Sequence, residues 1–358
     1  MAFVSFRKGD TMKNNTKQLT DWVIHKIKPE YADDVALLVA VEGASVNGDG
    51  HGEPFDYFVP ATERGNELAQ TFIIAGVGND LYPRSWERME RTANLDDPAT
   101  PCLGNAKIMY ARSKEDIEHF ESIRQKLFDN LNNAEFTYRK ALENLDVAMN
   151  FYKTMLFEEQ LYRVRGLAGY IHSYLTTSVA CLNHTYRKDW HNGTVREISE
   201  WKALPNQYVE YYKGILAAQT VLEIKNLTHL LIGSTRQFIA SRKPAKAGPV
   251  NKPDYQQLAD WYQELCTWWN RLAYFCANQD GDAAFREACQ LQSELDIVGE
   301  EFMLGEMDLL GYFDLYNLEP LSRRASELEQ NIVSAIENHG IKIKRYTTLE
   351  EFLAAETE

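Results

Sequence analysis

Cysteine is scarce and poorly placed for chemistry. There are five in 358 residues, Cys102, Cys181, Cys266, Cys276 and Cys289, an odd number without a CxxC pair. A disulfide framework is disfavoured, and reduced structural thiols in a cytoplasmic protein are expected. The eight histidines are scattered and show no zinc-motif spacing. No apolar run approaches the roughly 20 residues of a membrane-spanning helix. The opening Met1-Ala2-Phe3-Val4-Ser5-Phe6-Arg7-Lys8 lacks the apolar core of a signal peptide. Positive charge is in deficit, with 38 Lys and Arg against 52 Asp and Glu and a net charge of −14. Bulk electrostatics therefore give no reason to expect tight, sequence-independent binding to nucleic acid or anionic membrane, and net charge says nothing about one local cleft. Internal repeats and low-complexity tracts are absent.

What is present divides into two patterns. Residues 16–28 carry Leu19, Trp22, Val23 and Ile27 at helical spacing, and Pro29 is expected to stop that helix. Val35-Ala36-Leu37-Leu38-Val39-Ala40-Val41 is too short for a typical helix and reads as a strand buried on both faces. A glycine-rich stretch follows, from Gly43-Ala44-Ser45 to Gly50-His51-Gly52. Residues 55–59 alternate as a second strand, which places Asp56 opposite Tyr57 across the sheet. Residues 63–70 read as a short helix or turn, 71–75 as a third strand, and 80–83 as extended. Ser85 caps a helix opening at Trp86. Residues 106–110 form a further strand, and Ser113 caps the next helix.

From residue 114 the period becomes helical, with Ile117, Phe120, Ile123, Leu127 and Leu131 along one face. Helices are expected near 134–164, 166–188, 206–240, 254–278, 282–302 and 318–338, and a short strand at 341–346. The organisation that follows is a flexible 1–15, an α/β domain over 16–112, a helical domain over 113–340 with a linker at 242–252, and a tail over 341–358. The fold class is α+β: a small mixed sheet with flanking helices, followed by an all-helical bundle.

The chemistry concentrates at the glycine stretch and the strands after it. Backbone N–H groups of a glycine loop can cradle phosphates, and carboxylates beside it can hold a divalent cation. Asp56 sits among Phe55, Tyr57, Phe58 and Val59, where a buried carboxylate needs a partner. Asp80 precedes Leu81-Tyr82-Pro83 and reads equally as a ligand or as a turn residue. Trp86 reads as a packing anchor, and Arg84 and Arg88 as solvated. Asn183, His184, Tyr186 and Lys188 fall at a predicted helix end; Lys188 suits a triphosphate or simply a helix C-terminus. Trp261, Tyr262, Trp268, Trp269, Tyr274 and Phe275 read as core.

These residues carry a resemblance. The order of elements resembles the DNA polymerase β nucleotidyltransferase superfamily in its bacterial, aminoglycoside-nucleotidyltransferase-like form. Gly43-Ala44-Ser45 stands where that family has Gly-Ser, Phe55-Asp56-Tyr57-Phe58-Val59-Pro60 stands at its acidic strand, and Asn79-Asp80-Leu81 resembles the strand with its third carboxylate. Thr62-Glu63-Arg64-Gly65, the run from Asp80 to Arg88, Lys107-Ile108-Met109-Tyr110 and Leu182-Asn183-His184-Thr185-Tyr186-Arg187-Lys188 are similar to the same group. The resemblance implies Mg²⁺-dependent transfer of a nucleoside monophosphate from an NTP to an acceptor hydroxyl on a small molecule, protein or nucleic acid. It makes Asp56 and Asp80 the metal-binding and catalytic carboxylates, with two Mg²⁺ ions. It makes Gly43, Ala44, Ser45 and Lys188 the nucleotide contacts. Two departures stand at the motif: Pro54 occupies the position of the first strand aspartate, and Ala44 that of the serine. They support an alternative, a catalytically degenerate relative that binds a nucleotide or a protein without turnover. A third reading is a helical interaction protein that forms a homodimer through its aromatic helices.

Overall fold

The computed structural model describes residues 10–41, 55–74, 77–188, 194–244 and 253–355. The chain divides into two compact units, Met1–Lys246 and Ala247–Glu358, and the division falls within the proline- and glycine-containing stretch 242–252. The protein is α+β, a mixed five-stranded sheet with flanking helices followed by further helices.

The first unit is built on the sheet. Helix α1 (Asp10–Glu30) leads into β1 (Val35–Val41); β2 (Phe55–Pro60), β3 (Gln70–Ile74) and β4 (Val77–Pro83) follow. Helices α2 (Trp86–Ala93) and α3 (Pro101–Gly104) precede β5 (Ala106–Ala111). The strand order is β3-β4-β2-β1-β5. Strand β1 pairs antiparallel with β2 and with β5, whereas β2 and β4 run parallel. Every residue of β1 is buried, as its unbroken apolar sequence requires of a strand covered on both faces. Val35 and Leu38 join Phe58, Leu81 and the α1 residues Val23 and Ile27 on one face. Leu37, Val39 and Val41 join Tyr57, Val59, Met89 and Leu103 on the other. Helix α4 (Lys114–Asn132), capped by Ser113 as expected, closes that second face with Phe120, Ile123 and Leu127.

Helices α5 (Ala134–Phe157) and α6 (Leu161–Leu182) pack along one another, and the short α7 (Thr194–Ser199) precedes α8 (Tyr208–Ala217) and α9 (Val221–Ala240). Met155, Val164, Leu175, Val179, Ile224 and Leu231 belong to their shared core. The second unit comprises α10 (Tyr255–Ala277), α11 (Gly281–Glu301), α12 (Glu319–Asn338) and α13 (Leu349–Ala355). Tyr262 and Trp269 lie in its core as expected, but Tyr274 is 64% exposed. All five cysteines are free thiols. Among the described residues no helix is long and apolar enough to cross a membrane.

Several expectations are corrected. Helix α1 begins at Asp10 and contains Pro29 in its last turn, because the helix ends one residue later and Tyr31 N–H still reaches the Ile27 carbonyl at 2.8 Å. The expected helix 206–240 breaks before a Thr220–Glu223 capping box, in which each side chain satisfies the other residue's backbone N–H. Helix α5 ends at Phe157, and the Glu158 carboxylate that follows accepts from the N–H groups of Glu159 and Gln160 in the short link before α6. Residues 341–346 form no strand: Ile343 packs into the helical core, and the Lys344 N–H donates to the Gln263 side chain instead of to a neighbouring strand.

Burial assigns the stability. Leu38→Ala removes a fully buried side chain and is expected to cost about 2–5 kcal/mol in a denaturant titration. Ile73→Ala, at a position 77% exposed, is expected to stay within about 0.5 kcal/mol.

Candidate functional site

Of the residues expected from the sequence, Asp56, Asp80 and Lys188 are described, and their backbones fall toward one end of the sheet. Gly43, Ala44 and Ser45, together with Pro54, lie outside the described residues. The strands that flank that stretch are described: β1 ends at Val41 and β2 begins at Phe55. Ala40 pairs with Phe55, while Val39 pairs with Tyr57, so Asp56 is an extra residue in a bulge on β2. Strict alternation therefore stops short of Asp56, and bulges of this kind re-aim a strand where sheets end or sites form. Only the backbone of Asp56 is described.

Strand β4 lies beside β2 in parallel, with Tyr82 opposite Tyr57. Asp80 is two residues upstream of Tyr82, level with the start of β2, and it is exposed. It also pairs with Thr71 of β3. Asp56 and Asp80 thus occupy neighbouring strands near the points where the glycine-rich stretch leaves and re-enters the sheet. Among the described residues no group of three or more His, Cys, Asp or Glu side chains is arranged to hold a metal ion.

Lys188 reaches this end by another route, and its expected setting is corrected. Helix α6 stops at Leu182, six residues earlier, because the Asn183 amide caps it and His184 takes a left-handed φ of 55°. The segment then returns to the sheet layer. Tyr186 is buried there, and its hydroxyl donates to Asn105 Oδ1 at 2.6 Å. The approach is so close that a Cβ on Gly104 would lie 2.1 Å from that hydroxyl, which explains glycine at this position. The Lys188 carbonyl accepts from Asn105 Nδ2 at 3.4 Å, and its N–H donates to Glu197 at 2.6 Å. Asn105 immediately precedes Ala106, which pairs with Val41. The exposed Lys188 therefore belongs to the same end of the sheet as the exit of β1.

A second group of charges escaped the sequence reading. Arg84 is not solvated: its side chain is 1% exposed and reaches Asp97 at 3.4 Å and Thr92 at 3.1 Å. Arg88 donates to the other Asp97 oxygen at 2.8 Å, and the Ala99 N–H donates to Asp97 at 2.8 Å. Burial pushes the Asp97 carboxyl up, but the Arg88 and Ala99 hydrogen bonds and the two arginine charges bring it below the ordinary range. Next to it, Asp96 binds Lys140 of α5 at 2.5 Å, and Glu143 binds the same ammonium at 2.7 Å. Burial alone would lower the Lys140 pKa; the two carboxylates reverse that and raise it. The Asp96-Asp97-Pro98 turn is visible in the sequence, but its partners lie 13 and 44 residues away. Trp86 behaves as the expected anchor, packing on the sheet-side core and against His119 at 4.3 Å.

Deeper in the helices, His172 is 4% exposed and stacks on Tyr212 with ring centroids 3.4 Å apart. Burial, assisted by the Arg187 charge, pushes its pKa down to about 3.

No protein-family model matches the chain. No curated protein matches it either. Among solved structures, a nucleotidyltransferase-like protein from Exiguobacterium sibiricum 255-15 overlaps with a TM-score of 0.33 and 10% identity, over 64% of this chain and 75% of that one. An overlap this loose does not define the chemistry of the site.

Removing one partner of a buried ion pair strands the other. Asp97→Ala is expected to destabilise the protein by about 3–5 kcal/mol at neutral pH, read as a fall in the denaturant midpoint. His172 gives a pH signature of defined sign. Its folded pKa lies below its unfolded value, so the unfolded chain takes up a proton first as pH falls. Stability is then full above about pH 6.5 and declines below it by up to about 1.4 kcal/mol per pH unit. His172→Phe, which keeps the ring stack, is expected to flatten that slope between pH 6.5 and 4.5.

Proposed function

We propose that the first unit is a nucleotidyltransferase-type nucleotide site that transfers a nucleoside monophosphate from an NTP to an acceptor hydroxyl. The observation that carries this reading is the register of the sheet. Asp56 and Asp80 stand on adjacent parallel strands, β2 and β4, at the end where the glycine-rich stretch departs. Mg²⁺ is commonly held by one or two carboxylates together with substrate phosphates. Two carboxylate-bearing strands side by side, one carboxylate exposed to solvent, fit that donor set. When bound, Mg²⁺ would neutralise the triphosphate and orient it for displacement.

The chain's own residues divide the remaining work. Gly43, Ala44 and Ser45 offer backbone N–H groups to the β- and γ-phosphates. Lys188 supplies a flexible point charge for the same phosphates. Asp56 and Asp80 bind the metal, and Asp80 accepts the acceptor hydroxyl proton. A small-molecule acceptor is one choice among hydroxyl-bearing partners. The degenerate alternative draws on Pro54 and Ala44, the two departures at the motif. With one carboxylate fewer, nucleotide could bind without turnover.

Thermal unfolding with each of the four NTPs, with and without Mg²⁺, tests the reading. A ligand at a hundredfold over its Kd stabilises by about 2.7 kcal/mol, which is readily visible. The expected outcome is a Mg²⁺-dependent rise in Tm for at least one nucleotide. That rise should be abolished in Asp56→Asn and Asp80→Asn and accompanied by pyrophosphate release with a hydroxyl acceptor. A rise indifferent to Mg²⁺ and without pyrophosphate would favour the degenerate alternative. No rise with any nucleotide would remove both.

A further inference from the structure

The helical part of the first unit ends in an apolar surface. Helix α5 turns into α6 through Glu158, Glu159 and Gln160, and α8 turns into α9 through Ala218, Gln219 and Thr220. The two turns lie side by side. Lys225 Nζ of α9 donates to the Leu156 carbonyl of α5 at 2.9 Å, and the Arg165 guanidinium of α6 donates to the Ala218 carbonyl at 2.9 Å. Five large side chains stand around them: Leu156, Phe157, Tyr162, Leu216 and Leu222. Tyr162 shares a helix face with Arg165 three residues on, and Leu222 shares one with Lys225. Exposure runs from 47% at Leu156 to 88% at Phe157. Exposed apolar residues scattered singly are ordinary, but five gathered at one end of a bundle mark an interaction surface.

Charge selects the occupant. The two segments that build this end, residues 153–165 and 213–225, carry Lys153, Arg163, Arg165, Lys213 and Lys225 against Glu158, Glu159 and Glu223. Cations are in excess there, in a chain of net charge −14. Arg163 already pairs with Glu158, and Glu223 accepts from the N–H groups of Gln219 and Thr220. Among the described residues Lys153, Arg165, Lys213 and Lys225 form no ion pair. Two copies of this end pressed together would set like charge against like charge, so the complementary surface is both apolar and acidic.

The chain carries such a surface in α13. Leu349, Phe352 and Leu353 have the i, i+3, i+4 spacing of one helix face, and no residue of the helix is buried. From Tyr346 to Glu358 the sequence holds four glutamates, Glu350, Glu351, Glu356 and Glu358, and no Lys or Arg. Amphipathic helices of this kind bind by laying the apolar stripe on an apolar surface. We propose that α13 of one copy docks on this bundle end of a second copy, so that the chain associates with itself. The Leu349, Phe352 and Leu353 stripe covers the exposed apolar side chains, and the glutamates face the cations that lack an ion pair. The proposal goes beyond the nucleotide reading and does not depend on it, since it uses neither Asp56 nor Asp80.

Sedimentation velocity on the full chain across a concentration series provides the test. Self-association with a Kd of about 10 µM or tighter is expected. Phe157→Asp and Phe352→Asp are each expected to weaken it by about tenfold or more. Neither side chain is buried, so circular dichroism and Tm should stay unchanged. Charge reversal supplies a second pair of variants, which also decides the matter if an aspartate variant does not fold. Lys153→Glu with Lys213→Glu, and separately Glu350→Lys with Glu351→Lys, should each weaken association of the variant with itself. Mixing the two variants should restore it, because each end then meets a helix of opposite charge. A monomer at every concentration would overturn the proposal, and is the result if α13 docks within its own chain or nowhere. Association that survives Phe352→Asp, or charge-reversed variants that do not rescue one another, would overturn it too.

Discussion

The first unit depends on the double-sided burial of β1. Seven consecutive apolar residues without solvent on either face demand a layer on each side, and the chain supplies α1 on one and α2, α3 and α4 on the other. Strands β2 and β5 flank β1, so its backbone groups pair on both edges. The same arrangement determines where chemistry can occur. Interior positions along β1 and β2 are committed to packing, so polar function is confined to the strand ends and the loops beyond them.

Charge does a comparable job at the junction with the helices. The turn at Asp96 and Asp97 is tied to α2 and the end of β4 through Arg84 and Arg88, and to α5 through Lys140. Burying Arg84 without a carboxylate would be prohibitive, so the turn and the arginine constrain each other. The Tyr186–Asn105 hydrogen bond adds a third tie, from the segment after α6 back to the start of β5. A sheet end, a charged turn and a returning segment are thereby held together within one unit.

Much of this was legible along the sequence. The run at Val35 to Val41 identifies a buried strand because no exposed strand tolerates seven apolar residues in succession. Ser85 and Ser113 announce their helices because a cap acts locally, on an N–H three residues away. The T-x-x-E box at Thr220 was equally local, though the longer periodicity around it obscured the break. Asp56 stood out by its apolar neighbours, whereas Asp80 read equally as a ligand and as a turn residue before Tyr82-Pro83. Arg84 did not stand out, because an arginine beside a proline carries no sign that its partner lies thirteen residues on.

The sequence by itself determined the α+β class, the order of the strands' appearance, the helical character after residue 114 and the residues of interest at the glycine stretch. Each follows from composition or from periodicity over a few residues. Only the tertiary structure decided that β2 and β4 are neighbours and parallel, that Lys188 leaves its helix to join the sheet layer, and that Arg84 is buried against Asp97. It also decided that the α5–α6 and α8–α9 turns share one end of a bundle. The physical reason is common to all four. Strand order, ion pairing and shared surfaces arise between segments distant in the chain, and their energies depend on packing that no local window contains.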